Sequence, residues 1–161
     1  MQTFLPYPDF EKSAKVLDYK RLGKQRVESL QIINAIEGNL RKDGKPYKGW
    51  INHPCSVMWK DYVPALKYYT NIMIAEWILR GYNNKMEFYE TNPFRDPVMP
   101  HWLGNEEFHS SHRANLLRKD YQYYSKFGWK EDPKAPYVWQ DQDHKWYQQI
   151  VESGERIYYT T

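Results

Sequence analysis

The sequence predicts a mainly α protein: a compact single-domain helical bundle over residues 1–161, with Pro-rich connecting loops and few or no strands. Three observations predict it. Apolar residues recur at helical spacing over long stretches. The ten prolines fall between those stretches or at their starts. Alternating runs of β-branched and polar residues are nearly missing. At 161 residues the chain has the mass for one core and is short for two.

Met1 to Phe10 is expected to be extended, because Pro6 and Pro8 forbid regular helix, and residues 1–12 form an N-terminal arm. Ser13 to Ile36 suits one long helix, with Leu22, Leu30, Ile33 and Ile36 on one side and Asp18, Arg21, Lys24, Gln25 and Glu28 on another arc. Gly38 stops it, and Asn39 to Gly49 reads as an exposed basic loop. His53-Pro54 opens a second helix that Pro64 interrupts. Tyr62, Leu66, Tyr69, Met73 and Trp77, with Ile72, then trace the stripe of a central core helix ending at Arg80-Gly81. Pro93, Pro97 and Pro100 make Tyr82 to Leu103 a crossing loop. A third helix runs from near Asn105 to Lys119, with Glu106 and Glu107 in its first turn. Residues 132–161 form an aromatic extension, with a short helix expected around His144 to Ser153.

Much of the apolar mass is aromatic, 15 Tyr, 7 Trp and 6 Phe, so one set of rings can serve both a core and a binding surface. The net charge of +3 is unremarkable for a soluble domain, and its distribution says more. Lys12 to Lys48 holds ten Lys/Arg against four Asp/Glu, and His109 to Lys130 five against one. Cys55 is the sole cysteine, which excludes an internal disulfide, and no secretory signal or apolar span of membrane length is present. The expectation is an intracellular setting, cytoplasm or nucleoid, virus-encoded chains included, with no membrane partner and a monomeric chain.

Three constellations carry chemistry. Arg21 and Glu28 lie two helical turns apart on one face with Lys24 between them, and Arg26 nearby. A carboxylate among cations stays ionised and stabilises developing positive charge or moves a proton; the same pattern also describes a solvated salt-bridged face. His109, His112 and Arg113 fall at i, i+3 and i+4, which fits phosphate contacts, two ligands of a metal site, or structural packing. Tyr123, Tyr124 and Lys126, in a run ending at Phe127-Gly128-Trp129, could stack on a base or pack as a helix end, and His53 is open to both kinds of role. Aromatic planes among Lys and Arg make DNA the first substrate class to test.

Leu17-Asp18-Tyr19-Lys20-Arg21-Leu22-Gly23-Lys24-Gln25-Arg26-Val27-Glu28, the segment Tyr62 to Asn83, and Glu106 to Gly128 together resemble the pyrimidine-dimer DNA glycosylases of the phage endonuclease V type and their bacterial and viral relatives. The resemblance implies a small helical enzyme, without metal or cofactor, that binds double-stranded DNA containing a damaged or modified base, kinks it and flips a nucleotide. It implies cleavage of the glycosidic bond by the chain's own α-amine, with abasic-site lyase activity. An α-amine titrates near ~8 against ~10.4 for Lys, so more of it is free base at neutral pH. The phage-type catalytic Glu position is occupied by Arg21, so the carboxylate role falls to Glu28. Gln2 is bulky, so Met1 is retained and its amine is the expected nucleophile. On the glycosylase reading, DNA contacts are expected at Arg21, Lys24, Arg26, His53, His109, His112, Arg113, Tyr123, Tyr124 and Lys126. The alternatives are a non-catalytic binder of damaged or modified DNA on the same fold, a metal-dependent hydrolase using His109 and His112, and an interaction module with no nucleic-acid role.

Overall fold

The computed structural model describes residues 1–160, and Lys48 by its backbone only; Thr161, the last residue of the expected aromatic extension, lies outside the described residues. The arm is irregular from Met1 to Asp9 and leads into α1 (Phe10–Val16), capped by the Asp9 carboxylate on the Lys12 N–H at 2.9 Å. After Leu17 and Asp18 comes α2 (Tyr19–Glu37).

That break corrects the single helix expected over Ser13 to Ile36. Leu17 and Asp18 are both extended (ψ 136° and 161°). The Asp18 N–H donates to the Tyr124 hydroxyl at 3.0 Å, and that hydroxyl donates to the Asp18 carboxylate. Pairing across 106 residues thus replaces local helical bonds, which no local pattern announces. At its far end α2 stops as expected: Gly38 adopts φ +74°, and the Asn39 N–H bonds the Asn34 carbonyl at 2.9 Å.

Helix α3 (Pro54–Trp59) starts where His53-Pro54 predicts, with the His53 ring accepting the Cys55 N–H at 3.1 Å. Helix α4 (Val63–Leu79) carries Pro64 harmlessly in its first turn, and the interruption falls at residues 60–62 instead. Leu66, Tyr69 and Met73 of the predicted stripe are fully buried. They pack against α2, where Leu22 and Ile33 are buried as expected and Gln25, Ser29 and Ile32 join them. A crossing loop without regular elements follows, then α5 (Glu106–Lys119), capped by Asn105 on the Phe108 N–H at 3.0 Å, and the single-turn α6 (Tyr121–Tyr124).

The carboxy-terminal region corrects two expectations. Instead of few or no strands, it forms an antiparallel sheet of β1 (Tyr137–Gln140), β2 (Trp146–Gln149) and β3 (Arg156–Tyr158), in that order. The helix expected around His144 to Ser153 is the second strand of a hairpin. Asp141 accepts the N–H groups of Asp143 and Lys145, both at 2.9 Å, and His144 takes φ +61°, so the turn is built by an aspartate carboxylate. The sheet packs on α5 through β1, burying Val138, Trp139 and Tyr147. Strands of three or four residues rich in Trp, Tyr and Gln are too short to show a period of two.

The arm runs through the interior: residues 2 to 6 are buried. Each of its backbone groups from Gln2 to Tyr7 that forms a bond does so with a side chain from elsewhere. The Gln25 amide donates to the Gln2 carbonyl at 2.9 Å and its oxygen accepts the Phe4 N–H at 2.8 Å. Tyr69 reaches the Phe4 carbonyl at 2.9 Å. His112 accepts the Leu5 N–H and His109 donates to the Leu5 carbonyl, both at 2.8 Å. Arg113 donates to the Pro6 carbonyl at 2.7 Å, and Ser13 bridges both polar groups of the Tyr7 backbone. An extended segment without a strand partner still needs its polar groups paired once buried, and these side chains pair them.

Candidate active site

The arm delivers the amino terminus into a cleft of about 410 Å³. It is lined by Met1, Gln2 and Phe4 of the arm and by Arg21, Lys24, Gln25 and Glu28 of α2. The sheet adds Tyr137, Trp139, Gln149 and Arg156 to the lining, α5 adds Asn115 and Lys119, and His53 and Pro54 complete it. Residues more than a hundred positions apart in sequence therefore meet around the chain's first residue.

The spacing on α2 is what puts one carboxylate among the cations. Arg21, Lys24, Gln25 and Glu28 sit within a narrow arc, on the flank of the helix next to its buried face. Gln25 lies 3.4 Å from the Glu28 carboxylate while holding the Gln2 carbonyl, so one amide links the arm to the acid. Arg21 pairs with Asp18 at 3.2 Å and reaches the Lys119 carbonyl, which ties α2 to the end of α5.

Charges in the cleft act on their neighbours. Burial and the positive amino terminus push the His53 imidazole down to about 4, so it is neutral at physiological pH. Its Nδ1 accepts from Cys55, so the neutral ring carries its proton on Nε2. Burial raises the Cys55 thiol to about 11, with its hydrogen bonds to Thr3 and the positive amino terminus opposing and Glu28 adding to the rise. Lys119 is lowered by burial and by Arg21, Arg118 and Lys24, with Glu28 opposing.

Among the residues singled out from sequence, the structure gathers Met1, Glu28, Arg21, Lys24 and His53 in the cleft. It places the others elsewhere. Arg26 lies on the opposite flank of α2, 2.7 Å from Asn84 and stacked on Trp77 at 4.3 Å. His109 and His112 are 0% and 1% exposed, which corrects their assignment to DNA. His109 donates from Nδ1 to Leu5 and accepts the Gly104 N–H on Nε2 at 2.9 Å, so both its nitrogens are committed. Both imidazoles are depressed by burial, His112 well below its usual value. Arg113 is also a structural residue, buried between the Pro6 carbonyl, Glu106 and Glu131. Tyr124 is fully buried on Asp18. Tyr123 and Lys126 pair with each other, the ammonium 3.8 Å from the ring centroid, away from the cleft lining.

The metal-site alternative meets the same geometry. His109 has no free nitrogen, Nδ1 of His112 is occupied by Leu5, and among the described residues no group of three His, Cys, Asp or Glu side chains is arranged to hold a metal ion. No described helix is long and apolar enough to cross a membrane.

Gln2, Gln25, Asn115, Lys119, Tyr137, Trp139, Gln149 and Arg156 were not expected in the site. Gln25 could have been found from its i, i+3 relation to Glu28. The others depend on how the sheet folds back and carry no local signal.

No curated protein and no solved structure matches the chain. The family model described as pyrimidine dimer DNA glycosylase matches residues 1–90, which include the arm, the whole of α2 and the His53-Pro54 corner. With more than half of its length matched, and with the arm and α2 residues that line the cleft inside that match, the chain belongs to the pyrimidine dimer DNA glycosylase family.

Proposed function

We propose that this protein is a DNA glycosylase with abasic-site lyase activity, in which the α-amine of Met1 is the nucleophile and Glu28 the assisting carboxylate. The observation that carries the reading is that both groups line one cleft with Arg21, Lys24 and Lys119 around them.

The chemistry follows from those groups. The free amine attacks C1′ of the damaged nucleotide, the C1′–N bond breaks, and the base leaves with a proton. The sugar ring opens as its oxygen takes up a proton, leaving an iminium between Met1 and C1′. The Glu28 carboxylate, set among cations, stabilises that positive charge and removes a proton from C2′. The electron pair released expels the 3′ phosphate by β-elimination, and water then hydrolyses the imine. Arg21, Lys24 and Lys119 hold the phosphates on either side, and the neutral His53 adds no repulsion to the developing cation. Holding the amine through a buried arm removes the entropy of positioning a flexible terminus.

The test is borohydride trapping with duplexes containing an abasic site or ultraviolet-induced pyrimidine dimers. A covalent adduct at Met1 is expected, lost on blocking the amino terminus and reduced roughly 10²- to 10⁴-fold in Glu28→Gln. An adduct that survives blocking would refute the assignment of Met1, and absence of any adduct or strand cleavage would refute the lyase.

A further inference from the structure

One polar group of the cleft lining has no task in the fold. His53 caps α3 with its Nδ1, which accepts the Cys55 N–H at 3.1 Å. A cap needs one acceptor, and Asn, Ser or Asp supplies it as well. The imidazole brings a second nitrogen, and with Nδ1 accepting, Nε2 carries the proton. That N–H has no partner among the described residues and, unlike the orphaned Nε2 of His112, is not sealed in the interior. Two indoles fix the ring: Trp50 and Trp139 meet it at centroid distances of 6.0 and 5.9 Å, with interplanar angles of 60° and 88°. With Nδ1 held against the first turn of α3, Nε2 stays on the side of the ring away from that turn, in a residue that lines the cleft with Met1 and Glu28. Burial and the positive amino terminus keep the imidazole uncharged.

We propose that His53 donates a hydrogen bond from Nε2 to O4′ of the attacked sugar as the ring opens. The inference rests on the glycosylase and lyase reading and adds a residue to it. Three groups of the substrate gain negative charge in that chemistry: the departing base, O4′ and the 3′ phosphate. The phosphates carry full charges and match the cations Arg21, Lys24 and Lys119. O4′ is bonded to C1′, the atom that Met1 attacks, so a donor sharing the cleft with that amine is suited to it. When the C1′–O4′ bond breaks, its electron pair passes to O4′, which takes a proton from water. His53 keeps its own proton and stabilises the charge while it develops. A Lys or Arg in this place would set a full positive charge beside the iminium forming at C1′, and like charges repel. An uncharged N–H stabilises the oxygen without that repulsion.

The test is single-turnover borohydride trapping at saturating protein, on duplexes carrying either a pyrimidine dimer or an abasic site. An abasic sugar opens to its aldehyde in solution and needs less help at O4′, whereas an intact nucleotide has no such route. His53→Asn keeps the capping acceptor and deletes the distal N–H; His53→Gln loses the cap and puts an amide N–H near the Nε2 position. His53→Asn is expected to trap the dimer duplex on the order of 100-fold more slowly than wild type, with Kd within about twofold and a loss on the abasic duplex at least about fivefold smaller. Folded His53→Gln should regain at least about 10-fold of that rate. Equal rates for His53→Asn and wild type on the dimer duplex, equal losses on both duplexes, or no recovery in folded His53→Gln overturns the proposal. If His53→Gln does not fold, the contrast between the two duplexes in His53→Asn decides; if His53→Asn does not fold, His53→Ser, which also caps α3, replaces it. Wild-type trapping with neither duplex refutes the lyase reading itself. Wild-type trapping with the abasic duplex alone refutes base removal from the dimer, and the role of His53 with it.

Discussion

The side-chain amide of Gln25 donates to the main-chain oxygen of Gln2 at 2.9 Å, and its oxygen accepts from Phe4 N–H at 2.8 Å and lies 2.7 Å from the Tyr69 hydroxyl. A single fully buried side chain on α2 therefore sets where the chain begins relative to Glu28, one turn away. Gln25→Leu keeps the approximate volume and deletes every one of these bonds. It is expected to lower stability by about 2–4 kcal/mol, since buried partners are left unpaired. Adduct formation should fall on the order of 100-fold in protein shown to be folded, because the amine loses its register. Equal trapping by folded mutant and wild type would show that the arm needs no such anchor.

His112 makes stability sensitive to acid. Its folded-state pKa is depressed by burial, so the unfolded chain binds more protons below the ordinary histidine value. Stability is therefore full above about pH 6.5 and declines as the pH falls below it. His53 and His109, both lowered, act in the same direction. His112→Asn places an amide oxygen near the Nδ1 position to accept the Leu5 N–H, and should flatten the decline between about pH 6.5 and 5. Thermal melts across that range check it; an unchanged slope would assign the sensitivity to other groups.

Gly23 of α2 has the Trp77 indole over it: a Cβ there would lie 3.0 Å from the ring. Alanine ordinarily gains about 1 kcal/mol over glycine in a helix. Here the indole, packed at a tilt on Tyr82 with ring centroids 4.4 Å apart and lying under Arg26, must shift, and overpacking costs about 1–3 kcal/mol. Gly23→Ala is expected to be net destabilising by about 1 kcal/mol in chemical denaturation. A gain in stability would mean that Trp77 yields freely.

Lys24 and Arg113 should separate binding from folding. Lys24 is exposed at the cleft mouth, so Lys24→Ala is expected to leave the melting temperature nearly unchanged and reduce the slope of log affinity against log salt by about 1. Arg113 is buried between backbone and two carboxylates, and Arg113→Ala should cost about 2 kcal/mol of stability while leaving the salt slope of the folded protein intact. The reverse pattern would return Arg113 to the DNA surface.

Sequence alone determined the helices and one wall of the site. Apolar spacing and the end signals at Asn105 and Gly38 are local, and α2, α4 and α5 follow them. The face of α2 that carries Arg21, Lys24 and Glu28 is equally local, because helical geometry assigns neighbours at fixed spacing. Tertiary structure decided what the histidines do. His109 and His112 share a face of α5 whatever their role; only the burial of the arm beside them, more than a hundred residues away in sequence, turns anion-binding candidates into backbone anchors. It also decided the break at Leu17 and Asp18, the sheet, and the second wall of the cleft. Each of these depends on hydrogen bonds or packing between distant segments, whose free energy exceeds local propensity yet leaves no period in the chain.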